Sequence, residues 1–334
     1  MGWQKEAFEA LSGADGHAEG LSDYAQKREA GDFLRHAASL AMTKTADGLF
    51  DPKLVLSWLL THLGAPSAFI GALVPLREAG ALLPQLLIAP HIHAMARRKW
   101  AWAGAAAGQG LAALAITLMG LWLSGWAAGL GICLAVAVLA LSRSVASVSY
   151  KDILGKTVGK ARRGAATGLA ASMTAGAVVL FALVLIWAPV DRFVIVVGAL
   201  GLSAAFWLGA ALLFATLNEE AAPGKANHST LSQLALLKDH PDLRRFIYAR
   251  GLLTGSALAP PYMVIMASQA GNGAFQALGA LVLASAMASL ISSYVWGRLA
   301  DQSSRRVLAL SGLVAAAALL LALMLDRAGL AGTW

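Results

Sequence analysis

Residues 126–164 read WAAGLGICLAVAVLALSRSVASVSYKDILGKTVGKARRG, an apolar run that passes into a stretch dense in lysine and arginine. The tetrapeptide at 154–157, LGKT, invites a phosphate-binding loop, G-x-x-x-x-G-K-[ST], whose first glycine lets backbone N–H groups curl around phosphates. Tyr150 stands where that glycine is required. The preceding run is also too long and too apolar for the soluble β-strand that such a loop follows. It reads as a helix crossing a membrane, with the basic stretch as the loop beyond it. About 20 apolar residues cross a hydrocarbon core of about 30 Å as a helix, and runs of that length recur along the whole chain.

Composition extends the reading. Of 334 residues 58 % are hydrophobic and 13 % charged, with a mean hydropathy of +0.66, against about 25 % charged in soluble domains. The expectation is an all-α integral membrane protein. Strict apolar–polar alternation is absent, which argues against a β-barrel. The single cysteine, Cys133, lies inside an apolar run, so neither a disulfide framework nor a thiolate metal site is expected. The net charge of +8 sits in short loops rather than in a stripe interleaved with aromatics, so no nucleic-acid partner is expected. With no Walker loop and no metal-ligand spacing, neither enzymatic activity nor a cofactor is expected. His91 and His93 alone do not make a metal site and fit an interface.

Nine spans are expected, at 39–63, 67–95, 101–123, 126–149, 165–188, 192–217, 245–269, 273–297 and 306–326. The connections after the second, fourth, sixth and eighth spans hold Arg97, Arg98 and Lys99; Lys151, Lys156, Lys160, Arg162 and Arg163; Lys225, Lys238, Arg244 and Arg245; and Arg298, Arg305 and Arg306. The intervening turns offer only Arg192. By the positive-inside rule the N-terminus and the basic loops face the cytoplasm. Trp100, Trp102, Trp122, Trp126, Trp187 and Trp296 fall at span ends, where amphipathic rings favour the interface. Residues 1–36 read as a cytoplasmic tail with short amphipathic helices. A six-helix bundle over 37–217 and a three-helix partial bundle over 245–334 follow, joined by a linker at 218–244 that carries Pro223 and Gly224. The expected location is the bacterial inner membrane.

Residues 297–306 read GRLADQSSRR. This resembles the cytoplasmic signature of the major facilitator superfamily, G-x-L-x-D-[RK]-x-G-[RK]-[RK], with Gly297, Leu299, Asp301, Arg305 and Arg306 in register and Gln302 and Ser304 departing. Leu139 and Arg143 resemble the family's fourth-helix motif L-x-x-x-R-x-x-Q-G, with Ala146 and Ser147 in place of Gln and Gly. Arg163, Gly164 and Gly168 resemble the R-G-x-x-x-G that leads into its fifth helix. The resemblance implies a secondary transporter that moves a small solute by alternating access, with or without proton coupling, and in which Gly297, Asp301, Arg305 and Arg306 serve gating. The family usually has twelve spans, so the chain reads either as the first nine of a longer protein or as a shortened relative. The competing reading is a membrane protein that keeps the bundle without transporting.

Charges inside spans are costly, roughly 2.5 to 3.5 kcal/mol at the bilayer centre on insertion scales, so each needs a reason. Lys44, Asp47, Asp51, Trp58 and His62 fall on one face of the first span, and Arg77, Glu78 and Gln85 lie in the second. Helical rise predicts that Asp51 meets Arg77 at one level, as a structural ion pair or as part of a transport path. Glu78, lacking so direct a partner, is the expected proton carrier, unless Lys53 pairs with it. The expected path comprises Asp51, Arg77, Glu78, Gln85 and Arg143. Arg250 reads as a snorkelling residue, Pro260 and Pro261 as a break in the seventh span, and Gly164, Gly168, Ser172 and Gly176 as a small-residue stripe for close helix packing.

Overall fold

A computed structural model describes residues 2–12, 21–221, 240–269 and 278–327, and no strand occurs among them. The helices are α1 (Gly2–Ser12), α2 (Asp23–Gln26), α3 (Glu29–Phe50), α4 (Val55–His62), α5 (Ser67–Leu82), α6 (Gln85–Ala94) and α7 (Lys99–Trp122). They continue as α8 (Gly125–Thr157), α9 (Arg163–Trp187), α10 (Arg192–Ala215), α11 (Pro241–Gly255), α12 (Ala259–Gln269), α13 (Leu278–Gln302) and α14 (Ser304–Arg327). Among the described residues six stretches are long and apolar enough to cross a membrane: Ser67–Ala94, Lys99–Trp122, Gly125–Thr157, Lys160–Trp187, Arg192–Ala215 and Arg305–Met324.

The first expected span is divided. Pro52 has no N–H to give and disfavours helical geometry in the residue before it, so α3 ends at Asp51, where ψ is 111°. Asp51 Oδ1 accepts from Lys53 N at 2.7 Å and Leu54 N at 3.1 Å, supplying the turn that restarts the chain as α4. The expected break at Pro260 and Pro261 also appears, one step upstream. Each proline ring clashes with the carbonyl four residues back, and a 3-10 turn at Ser256–Leu258 separates α11 from α12.

Facing residues fix helix directions. Trp102 stacks on Phe214 with ring centroids 3.9 Å apart, while a Cβ on Gly110 would lie 2.7 Å from Leu208 and the Cβ position of Gly201 is 3.8 Å from Thr117. Numbers rise on α7 as they fall on α10, so the two are antiparallel. Gly108 against Ser142 and Gly131 against Met119 make α7 and α8 antiparallel, whereas Phe69 against Gly129 and Gly80 against Ala140 make α5 and α8 parallel. Lipid tails are as apolar as leucine, so membrane helices associate through close packing rather than exclusion of water. The core reflects this: Phe50, Leu59, Ile116, Ile132, Leu139 and Trp207 are fully buried, and α3 meets α9 at Gly48, where a Cβ would lie 2.4 Å from Val178. The expected stripe does not pack in this way. Gly164, Gly168 and Gly176 have no atom within 4 Å of a Cβ position, and they face outward with Ser172.

The 33 residues of α8 rise about 50 Å, some 20 Å more than a hydrocarbon core, so its last turns extend beyond the bundle's basic end. There acidic side chains meet the basic loops. Glu219 accepts from Lys99 N at 2.7 Å and pairs with Lys156 at 3.3 Å, Glu29 accepts from Gly159 N and Arg162, and Arg98 pairs with Asp152. Asp32 accepts from Arg35 and from both nitrogens of Asn218. The start of the expected linker and the end of the expected tail are therefore packed against the bundle, through Asn218 and Glu219 on one side and Glu29 and Asp32 on the other.

Candidate functional site

Asp47, one turn before the end of α3, joins three helices. Arg77 of α5 donates from Nη2 to its Oδ1 at 2.5 Å, and Arg143 of α8 donates from Nη1 to its Oδ2. The side chain of Arg77 is 9 % exposed and that of Arg143 39 %. Asp47 thus anchors one buried guanidinium and shares another that faces open space.

Two cavities meet at this pair. One, of about 480 Å³, lies between α3, α9 and α13, lined by Lys44, Asp47, Asp51 and Arg143 together with Thr174, Ser285 and Ser289. The other, of about 400 Å³, lies toward the basic end between α3, α6, α7 and α8. Its lining includes Thr43, Gln85, Gln109, Ser147, Tyr150 and Lys151, and it shares Lys44, Asp47 and Arg143 with the first. Trp102 faces Tyr150, and Arg143 lies seven residues, about 10 Å of helix, from Tyr150 toward the start of α8.

The expected pairing of Asp51 with Arg77 is replaced by Asp47 with Arg77. The reason is the break at Pro52: Asp51 is drawn out of the helix, and its Oδ1 is taken up by the turn, leaving the carboxylate one turn earlier to face α5. Gln85 and Arg143 line the cavity space, whereas Arg77 reaches it only through Asp47. Glu78, half-buried on α5, lines neither cavity. Among the described residues no ion pair joins it to Lys53.

Arg305 and Arg306 are exposed at the start of α14, where Arg306 N donates to Ser303 Oγ at 3.4 Å. Gly297 and Asp301 fall on the backbone of α13, but their side chains lie outside the described residues. Arg250 is exposed, as is His91.

The expected path omitted Asp47 as the hub, Lys44 and Gln109. Asp47 and Lys44 share the polar stripe of the first span, and Gln109 is a lone amide in the run AGAAAGQGLAALA; both signals are visible once an isolated polar group in an apolar helix is taken as requiring a partner. Compared with protein families, with curated proteins and with solved structures, the chain has no match.

Proposed function

We propose that the chain is a major-facilitator-type secondary transporter that moves a small solute by alternating access past the Asp47–Arg143 pair. The observation that carries this reading is the meeting of two cavities at one charged locus inside an apolar bundle. Charge is costly at that depth, and in a membrane bundle it marks a solute or proton path. The resemblance of 297–306 and of Leu139 with Arg143 to family motifs supports the same reading.

In this reading there are nine crossings, with the broken pairs α3–α4, α5–α6 and α11–α12 counting as one each. Discontinuous helices of this kind border solute sites in transporters. The N-terminus and the basic loops face the cytoplasm of a bacterial cell, and Asp301, Arg305 and Arg306 with Gly297 gate the inner side. Asp47, which lines both cavities, takes the place of Glu78 as the carboxylate on the solute path.

The test is a solute screen on the full chain reconstituted in vesicles, with and without a pH gradient. Uptake of at least one solute is expected, and it is lost in Arg143→Gln. A folded chain that moves no solute under either condition overturns the proposal.

A further inference from the structure

We infer that the basic-end cavity binds a small hydroxylated carboxylate, with its carboxylate on Arg143 and Lys44 and a hydroxyl on Gln109. This rests on the transport reading and names the substrate class for the same site.

Charge sets the first half of the assignment. The cavity wall carries three cations, Lys44, Arg143 and Lys151, and one anion, Asp47. Both carboxylate oxygens of Asp47 are already engaged, one by each arginine. Lys44 and Lys151 have no ion-pair partner among the described residues, so the wall has a positive excess. Anions are favoured in such a low-dielectric recess. A guanidinium has five N–H donors, and Arg143 commits only one to Asp47. Arg77 is buried away from the cavity and keeps Asp47 in place, which leaves Arg143 as the group that a solute carboxylate engages. Carboxylates match the guanidinium fork.

Hydrogen bonding sets the second half. Gln109 is 2 % exposed; its Nε2 donates to Ala105 O at 3.4 Å, while its Oε1 has no partner. An unpaired buried acceptor is unfavourable, and a carboxylate has no hydrogen to offer it, whereas a hydroxyl does. The Tyr150 hydroxyl is likewise without a partner and is able to donate or accept. Because Gly108 abuts Ser142, Gln109 and Arg143 stand within one turn of the same level on facing helices. Trp102 and Tyr150 supply flat apolar wall for a short carbon skeleton.

The experiment measures binding alone, so that it stands apart from transport. Thermal unfolding of the detergent-solubilised full chain is followed against increasing gluconate, propionate, glucose and inorganic phosphate at constant sodium and ionic strength, since a ligand of the native state raises the midpoint by mass action. Gluconate is expected to raise the midpoint at the lowest concentration, propionate at higher concentration, and glucose not at all. Arg143→Gln should weaken gluconate at least about tenfold, as for a lost charged hydrogen bond. Gln109→Leu should weaken gluconate about fivefold while changing propionate by less than about twofold; measuring both ligands on the same variant controls for folding. Equal shifts by glucose and gluconate, a shift by phosphate alone, or equal weakening of both acids in Gln109→Leu overturns the assignment. If gluconate binds as expected but no solute is moved by vesicles, the transport reading fails and this one stands. If another solute is transported and gluconate does not bind, the reverse holds.

Discussion

Replacing Asp47 by Asn and Asp51 by Asn separates two ways of neutralising Arg77. Asp47→Asn leaves the 9 % exposed guanidinium of Arg77 with a neutral acceptor in place of its counter-charge. Breaking a buried ion pair from one side costs about 3 to 5 kcal/mol; because Asp47 is 21 % exposed and Asn keeps one acceptor oxygen, about 2 to 3 kcal/mol is expected here. At about 2 to 4 °C per kcal/mol for a large domain, the unfolding midpoint should fall by roughly 5 to 10 °C. Asp51→Asn keeps the oxygen that accepts from Lys53 N and Leu54 N, and Asn and Asp serve nearly equally as caps, so a change within about 0.5 kcal/mol is expected. The assay is thermal unfolding of the solubilised full chain in two double-mutant cycles with Arg77→Gln. Coupling of about 1.5 to 3 kcal/mol is expected between positions 47 and 77, and less than about 0.5 between 51 and 77. Larger coupling for the second cycle would return the arginine to Asp51 and remove the geometric basis of the site.

His36 predicts acid sensitivity at the basic end. It lies near the start of α3, ahead of the expected first span at 39–63, with Thr157 Oγ1 2.8 Å from its Nε2 and the rings of Tyr150 and Phe214 around it. Burial pushes its pKa down to about 3, so the native chain leaves it neutral while the unfolded chain protonates near pH 6.5; stability is complete above pH 6.5 and falls below it, by about 1.4 kcal/mol at pH 5.5. His36→Gln should flatten the midpoint between pH 7 and 5.5, and an unchanged slope would show that His36 does not contribute. Gly48→Leu should lower expression and the unfolding midpoint severely, since even a Cβ there meets Val178 at 2.4 Å and overpacking costs about 1 to 3 kcal/mol; Gly168→Leu, at an open position, should leave both unchanged, and equal losses would mean that the helices do not meet as described. Glu219→Ala removes the acceptor for Lys99 N and the partner of Lys156, an expected loss of about 1 to 2 kcal/mol, whereas Glu219→Gln should recover the capping part; midpoints that do not separate the two variants would refute the cap.

Long apolar helices were legible because the bilayer sets a length and forbids unpaired backbone groups; α7, α8, α9 and α10 follow their expected spans within a few residues at most ends. The shorter, more polar elements were harder, because proline and acidic residues there act through local hydrogen bonds rather than hydropathy. Pro52 is the clearest instance: its effect was present in the sequence as a proline inside a span, yet its consequence, Asp51 turned into a cap and Asp47 made the arginine partner, depends on three-dimensional reach across to α5 and α8. The basic loops show the same limit. Their charges were read as topology signals, but Lys156 and Arg162 are each held by an acid distant in sequence, and the Lys99 ammonium donates to the carbonyls of Ala215 and Leu217.

The tautomer at His36 ties the basic-end packing to its expected acid response. Thr157 Oγ1 spends its hydrogen on Ile153 O at 2.7 Å, so it meets His36 as an acceptor, which assigns the proton to Nε2 by the hydrogen-bond network. Nδ1 then carries a bare lone pair and has no partner. Protonating it would create a buried donor with nothing to receive it, a cost of about 1 to 3 kcal/mol in addition to burying the charge. The same interactions hold α3 to the end of α8, the helix that carries Arg143. Acid should therefore loosen the α3–α8 contact from its basic end before it reaches Asp47, and hydrogen exchange at pH 5.5 should rise first over residues 29–36 and 153–159, with residues 43–47 protected for longer. Simultaneous loss of protection across α3 would show that the two ends unfold as one unit.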